Sequence, residues 1–169
     1  IGTVTTELGT GAYVTEVASG LVSPAMLLVI IAMAAGFTSF TTGTSWGTMA
    51  VITPIAIPLG YNIIGMAGLG PVIGAVFSGA IFGDHCSPIS DPTVLSSTFT
   101  GADHIDHVRT QIYYAVTVFA VVLLLYIVWG FLSVTPFLLF PIGVVALVAL
   151  VYGLSSVDLP TPVPASASD

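Results

Sequence analysis

Lysine is absent from the 169 residues, and Arg109 is the single basic side chain against eight acids, which leaves a formal net charge of -7. Phosphate backbones are held by clusters of Lys and Arg, so nucleic-acid binding is excluded. Cysteine is also nearly missing. Cys86 stands alone, which rules out an intrachain disulfide and suits a small packed side chain. Charge of either sign is scarce, at 5% of residues, while 56% are hydrophobic and the mean hydropathy is +1.09. Such values exclude an ordinary soluble domain and predict an all-α integral membrane protein in a lipid bilayer. The chain opens on Ile1 with no basic stretch ahead of an apolar run, so a secretory leader is not expected. A fragment lacking its N-terminal part is.

Residues 1–20 mix Thr, Gly and two Glu with apolar residues, and Leu8-Gly9-Thr10-Gly11 predicts a break. They read as the end of a preceding helix or as an interfacial segment. Glu7 lies beside the break, either at an interface or in a site. Leu21 to Phe37 is apolar; at about 1.5 Å per residue it reaches about 25 Å, near the lower limit for a hydrocarbon core of about 30 Å. It runs into Thr38-Ser39-Phe40-Thr41-Thr42-Gly43-Thr44-Ser45-Trp46-Gly47, polar but uncharged. Thr48 to Gly60 looks too short to span alone, and Pro54 and Pro58 each remove a backbone donor, so residues 21–60 predict a span followed by a half-helix or re-entrant piece.

Residues 61–99 predict a glycine-rich span and then a discontinuous segment. Gly70/Gly74 and Gly79/Gly83 have the small-xxx-small spacing that lets two helix backbones approach closely. Pro92 to Phe99 can form a short helix with Asp91 as its N-cap. Residues 100–111 hold the one dense polar patch, Asp103-His104-Ile105-Asp106-His107-Val108-Arg109, and predict a cytoplasmic loop because Arg109 is the only positive charge. His104 and His107 share a helix face, yet nothing completes a closed zinc site. Residues 112–154 carry two further spans, the first flanked by Tyr113, Tyr114, Tyr126 and Trp129, and return the chain to the cytoplasm. The Pro-rich stretch 155–169 cannot bury a core and is expected to be disordered.

One stretch concentrates chemistry: Gly83-Asp84-His85-Cys86-Ser87-Pro88-Ile89-Ser90-Asp91-Pro92-Thr93. Ionisable groups between apolar spans are expensive and mark sites by default. A helix N-terminus favours the charged form of Asp91 while burial disfavours it, so one carboxylate there could trade a proton for a metal cation. Ser87, Ser90 and Thr93 offer hard oxygen ligands, Asp84 a second carboxylate, and His85 a proton relay. Helix caps facing water are the plainer reading of Asp84, His85 and Asp91. Thr42, Thr44 and Ser45 form a second broken segment, either a polar turn or the opposing half of a cation site. Two interrupted helices meeting would make a transporter. A membrane-embedded metal hydrolase using Asp84, His85 and Asp91, or a purely structural subunit, are the rival classes.

These residues also carry a resemblance. Thr42 to Thr48, Gly83 to Asp91, Thr93 to Ser97 and Asp106 to Gln111 resemble signature segments of the NhaC family of sodium/proton antiporters, from about Glu7 to Ala115. Pro92, where a Thr is expected, and Tyr113, where a Pro is expected, depart from the family's pattern. The resemblance implies a multi-pass secondary transporter of a prokaryotic inner or plasma membrane, not an enzyme, built from two inverted repeats of which this chain is the C-terminal half. It implies sodium and protons as substrates at a site centred on Asp91 and Asp84, an N-terminal repeat as intramolecular partner, and no cofactor beyond the transported ion. Organic acids or amino acids are the alternative substrates, and a homo-oligomer is left open.

Overall fold

The computed structural model describes residues 2–18 and 20–155, and every element in it is helical. In chain order these are α1 (Gly2–Glu7), α2 (Thr10–Ala18), α3 (Leu27–Thr42), α4 (Ser45–Ile64), a single 3-10 turn (Met66–Gly68), α5 (Leu69–Cys86), α6 (Asp91–Thr100), α7 (His104–Leu132) and α8 (Pro136–Ser155). Four stretches are long and apolar enough to cross a membrane: Ser45–Ile64, Met66–Thr100, His104–Leu132 and Pro136–Gly153. The expected disordered tail lies outside the described residues apart from Ser155.

The corners follow from local chemistry. α3 stops at Gly43, whose φ of 68° is a left-handed conformation that glycine adopts without strain and whose N–H bonds to the Ser39 carbonyl at 2.8 Å. Thr44 then takes extended backbone and caps α4, its hydroxyl accepting from the Gly47 N–H at 3.3 Å. α6 ends on Gly101, again left-handed, with the Ala102 N–H returning to the Ser97 carbonyl at 3.1 Å.

Three expectations about helix boundaries are corrected. Thr48 to Gly60 is not a half-helix: it lies inside α4, a continuous helix of 20 residues. Pro58 has no N–H to give the Pro54 carbonyl, and Gly11 of α2 covers that carbonyl so closely that a Cβ at residue 11 would lie 2.8 Å from its oxygen. Packing thus shelters the carbonyl that Pro58 leaves over. Of residues 100–111 only 101–103 form a connection, because Asp103 caps α7 by accepting from the N–H groups of Ile105 (2.9 Å) and Asp106 (3.0 Å) and starts the helix at His104. The N-cap of α6 is Ser90, its hydroxyl 2.9 Å from that of Thr93, and Asp91 falls inside the first turn.

α5 is the central helix, packed on α3, α4 and α7. Between apolar helices in lipid, close backbone approach rather than hydrophobic burial drives association. Gly79 and Gly83 provide that approach. A Cβ on Gly79 would overlap the Ala32 carbonyl oxygen, and one on Gly83 the Gly36 carbonyl oxygen. The Ser39 hydroxyl bonds across the same contact to the Ala80 carbonyl at 2.6 Å. Gly70 and Gly74 play no such part: nothing lies within 4 Å of a Cβ on the first, and only the Tyr126 hydroxyl, at 3.6 Å, approaches one on the second. Leu27, Leu28, Ile31, Val72, Val76 and Phe119 fill the core around this crossing, and Phe82 stacks on Phe119 with ring centroids 4.0 Å apart.

Gly83→Ala is expected to destabilise the bundle by about 1–3 kcal/mol, because the new methyl meets backbone that cannot move aside. Gly70→Ala should be neutral or slightly stabilising. Thermal unfolding of the two variants in detergent separates them, and equal melting points would refute the crossing as described.

Candidate functional site

The α3–α4 corner and the α5–α6 corner face each other. Ser87, fully buried just past the end of α5, donates its hydroxyl to the Phe40 carbonyl in the last turn of α3 at 2.8 Å. That carbonyl is one of the acceptors a helix C-terminus leaves over. Gly43 lies against the Ile89 backbone, where a Cβ would come 2.9 Å from the carbonyl oxygen. Ser45, in the first turn of α4, donates to Asp84 Oδ2 at 2.8 Å.

Asp84 is therefore held at the N-terminus of α4, the end of a helix dipole that favours a carboxylate. It is held by one oxygen only. Its Oδ1 is buried and has no hydrogen-bond partner, and the same is true of Thr48 Oγ1. Buried polar atoms are nearly always paired, so an orphaned carboxylate oxygen and an orphaned hydroxyl one turn along α4 from its Ser45 partner invite a ligand. The oxygens around it are hard donors.

Of the residues singled out from sequence, Asp84, Ser45, Ser87, Ser90 and Thr93 come together in or beside this junction, and the last three are almost wholly buried. Others do not. The side chains of Asp91 and His85 are exposed. Thr42 turns its hydroxyl back to the Thr38 carbonyl at 2.8 Å, and Thr44 serves as the cap of α4. Cys86 is packed inside, 3% exposed. Among the described residues no group of three or more His, Cys, Asp and Glu converges as a metal site would require.

The start of α7 was missed as part of this junction because a polar patch beside a membrane span reads as a loop. In the structure His104 Nε2 donates to the Pro88 carbonyl at 2.7 Å, tying α7 to the α5–α6 corner. Its Nδ1 is 3.2 Å from the Ser97 hydroxyl, which is itself 2.7 Å from His107 Nδ1. Ser97 is 3% exposed. One turn further on, the Gln111 amide nitrogen donates to the His85 carbonyl, while its Oε1 is buried and unpaired. His104, His107 and Gln111 follow i, i+3, i+7 spacing on one helix face, a signal present in the sequence. Arg109 points away, in an exposed ion pair with Asp106 at 3.6 Å that contributes little.

Apolar helices meeting at two polar corners, with a half-paired carboxylate between them, define the class: a multi-span helical membrane protein with a polar break among its helices. Comparison with known proteins gives the particular family. A profile of the Na+/H+ antiporter family matches residues 1–131, and the chain belongs to that family. It is 43% identical over 131 residues to an uncharacterized protein of Haemophilus influenzae, covering 78% of this chain and 25% of that one. It is 39% identical over 113 residues to the malate-2H(+)/Na(+)-lactate antiporter of Bacillus subtilis (66% and 23% covered). It is 31% identical over 112 residues to the Na(+)/H(+) antiporter NhaC of Alkalihalophilus pseudofirmus (65% and 23%). The chain thus spans about a quarter of the length of the curated relatives it matches. No solved structure gives a significant match.

Ser97→Ala should cost about 1–3 kcal/mol, since it strips the hydroxyl placed between two histidines in a nearly closed space. Ser96→Ala, on the exposed side of α6, should cost far less. Unfolding midpoints in detergent test this, and a Ser97 variant as stable as the Ser96 one would contradict the junction.

Proposed function

We propose that the full-length protein is a secondary antiporter of a prokaryotic plasma membrane that exchanges sodium for protons by alternating access, with Asp84 as the group both cations share. The observation that carries this reading is the buried, unpaired Oδ1 of a carboxylate already fixed through its other oxygen by Ser45. A proton or an alkali cation satisfies that oxygen, and one carboxylate cannot hold both at full strength. Competition for it couples the two flows.

Ser87, Ser90 and Thr93 line the α5–α6 corner behind the carboxylate, positioning the broken backbone rather than offering free oxygens, since their hydroxyls are already bonded to protein. Asp91, exposed on the first turn of α6, faces the part of the protein outside this chain. We place that part as an inverted repeat completing the cavity, with this chain as the C-terminal portion. Asp91 then attracts cations at the cavity wall while Asp84 binds them. The end of the bundle that carries Arg109 faces the cytoplasm.

Exchange of organic acids is the second reading, favoured by the similarity to the malate/lactate antiporter. The site itself supports a cation better. Its charged group is an acid, and Arg109, the chain's single basic residue, is exposed and paired elsewhere.

Sodium-induced proton movement in everted vesicles carrying the full-length protein tests the proposal. Asp84→Asn is expected to reduce exchange by about a hundredfold or more with the protein still in the membrane, as an interaction essential to both bound states is lost. Asp91→Asn should raise the sodium concentration needed without abolishing exchange. Retained exchange in Asp84→Asn would refute the assignment, and proton movement driven by malate or lactate but not by sodium would favour the second reading.

A further inference from the structure

Hydroxyls inside helices have a ready partner in the carbonyl one turn earlier, and this chain uses it repeatedly. Thr41 bonds to the Phe37 carbonyl, Thr42 to that of Thr38, Thr98 to that of Val94 and Thr110 to that of Asp106, at 2.8 to 3.0 Å. Thr48 does not. It is 1% exposed, far more buried than those four, and its hydroxyl has no partner at all. Leaving such a group unsatisfied costs about 1–3 kcal/mol. The usual way out, a bond back to its own helix, is not taken.

Thr48 stands one turn after Ser45, and i, i+3 residues share a helix face. That face is the one that meets Asp84, because Ser45 holds Asp84 Oδ2. The junction therefore offers the free Oδ1 of Asp84, the free Oγ1 of Thr48, and the Ser45 oxygen, whose hydrogen is committed to Asp84 and whose lone pairs are not. The set is all oxygen and carries a single negative charge. Such donors suit a hard cation, and one carboxylate with neutral hydroxyls matches a monovalent rather than a divalent one.

A proton needs only one of these oxygens, whereas a dehydrated alkali ion needs several. From this difference we infer that Thr48 is a ligand of the transported alkali cation but not of the proton, and that it sets the affinity and choice of that cation. The inference rests on the antiport reading and adds to it the residue that separates the two competing ions.

The test uses the full-length protein in proteoliposomes, with sodium or lithium as the added cation, in the wild type, Thr48→Val and Thr48→Ser. Valine keeps the shape and removes the oxygen; serine restores the oxygen. Thr48→Val is expected to raise the apparent KM for sodium about tenfold or more, as loss of an ion-site contact does, while the maximal exchange rate at saturating sodium is largely kept. Thr48→Ser should return the KM toward the wild-type value with an altered preference between sodium and lithium. Should the valine protein fail to insert, Thr48→Ala carries the same comparison. A wild type that exchanges sodium and a Thr48→Val protein with unchanged KM and cation preference would overturn this inference and leave antiport standing. A valine effect not rescued by serine would make Thr48 a packing residue and overturn it too. A wild type showing neither sodium-driven exchange nor thermal stabilisation by sodium would overturn both readings together.

Discussion

Inside a bilayer no water is at hand for polar groups that the fold leaves over, so every interruption of a spanning helix must find its partners within the protein. Two polar corners among the described residues, α3–α4 and α5–α6, supply each other's partners. The carbonyl that α3 leaves free at Phe40 takes the Ser87 hydroxyl, and the carboxylate at the end of α5 takes the hydroxyl of Ser45 at the start of α4. Neither corner is complete alone. The pair leaves one carboxylate oxygen of Asp84 and the hydroxyl of Thr48 buried without a hydrogen-bond partner.

The apposition depends on how closely α3 and α5 can lie. Gly79 and Gly83 on one helix and Gly36 on the other allow backbone to touch backbone, and the Ser39 hydroxyl bridges the contact at Ala80. Larger side chains would part the helices, and the hydroxyl of Ser45 would then no longer reach Asp84. On its outer side the start of α7 seals the α5–α6 corner. Its His104 and Gln111 satisfy the carbonyls of Pro88 and His85. The glycine ridge sets the distance and the α7 face fixes the position.

Much of this was legible in the residues. Hydropathy and scarce charge indicated helices in lipid, and the two polar interruptions were visible as a Thr/Gly/Ser run and as the stretch around Asp84. What sequence could not show was which carboxylate is buried. Asp91 was expected at the centre of a site because a helix begins there; in the structure Ser90 stands at that helix's N-cap position and Asp91 is exposed. Thr48 gave no sign, since an orphaned hydroxyl is a property of packing and looks like any other threonine in a helix. The prolines at 54 and 58 misled for a related reason: local propensity argued for a break, and Gly11, distant in sequence, shelters the carbonyl that propensity leaves exposed. The polar patch at 103–109 was read as a loop from its charge, although His104 and His107 already shared a helix face and Gln111 continues it at i+7.

α7 is longer than a membrane is thick. Its 29 residues rise about 43 Å, against about 30 Å of hydrocarbon. A tilt of about 20° still leaves roughly 10 Å to spare. With the Ser133 end at one boundary, the turns that carry His104 and His107 stand in the headgroup layer of the opposite leaflet. The contact that fastens the α5–α6 corner is thus carried by the stretch of α7 in excess of what the hydrocarbon alone requires.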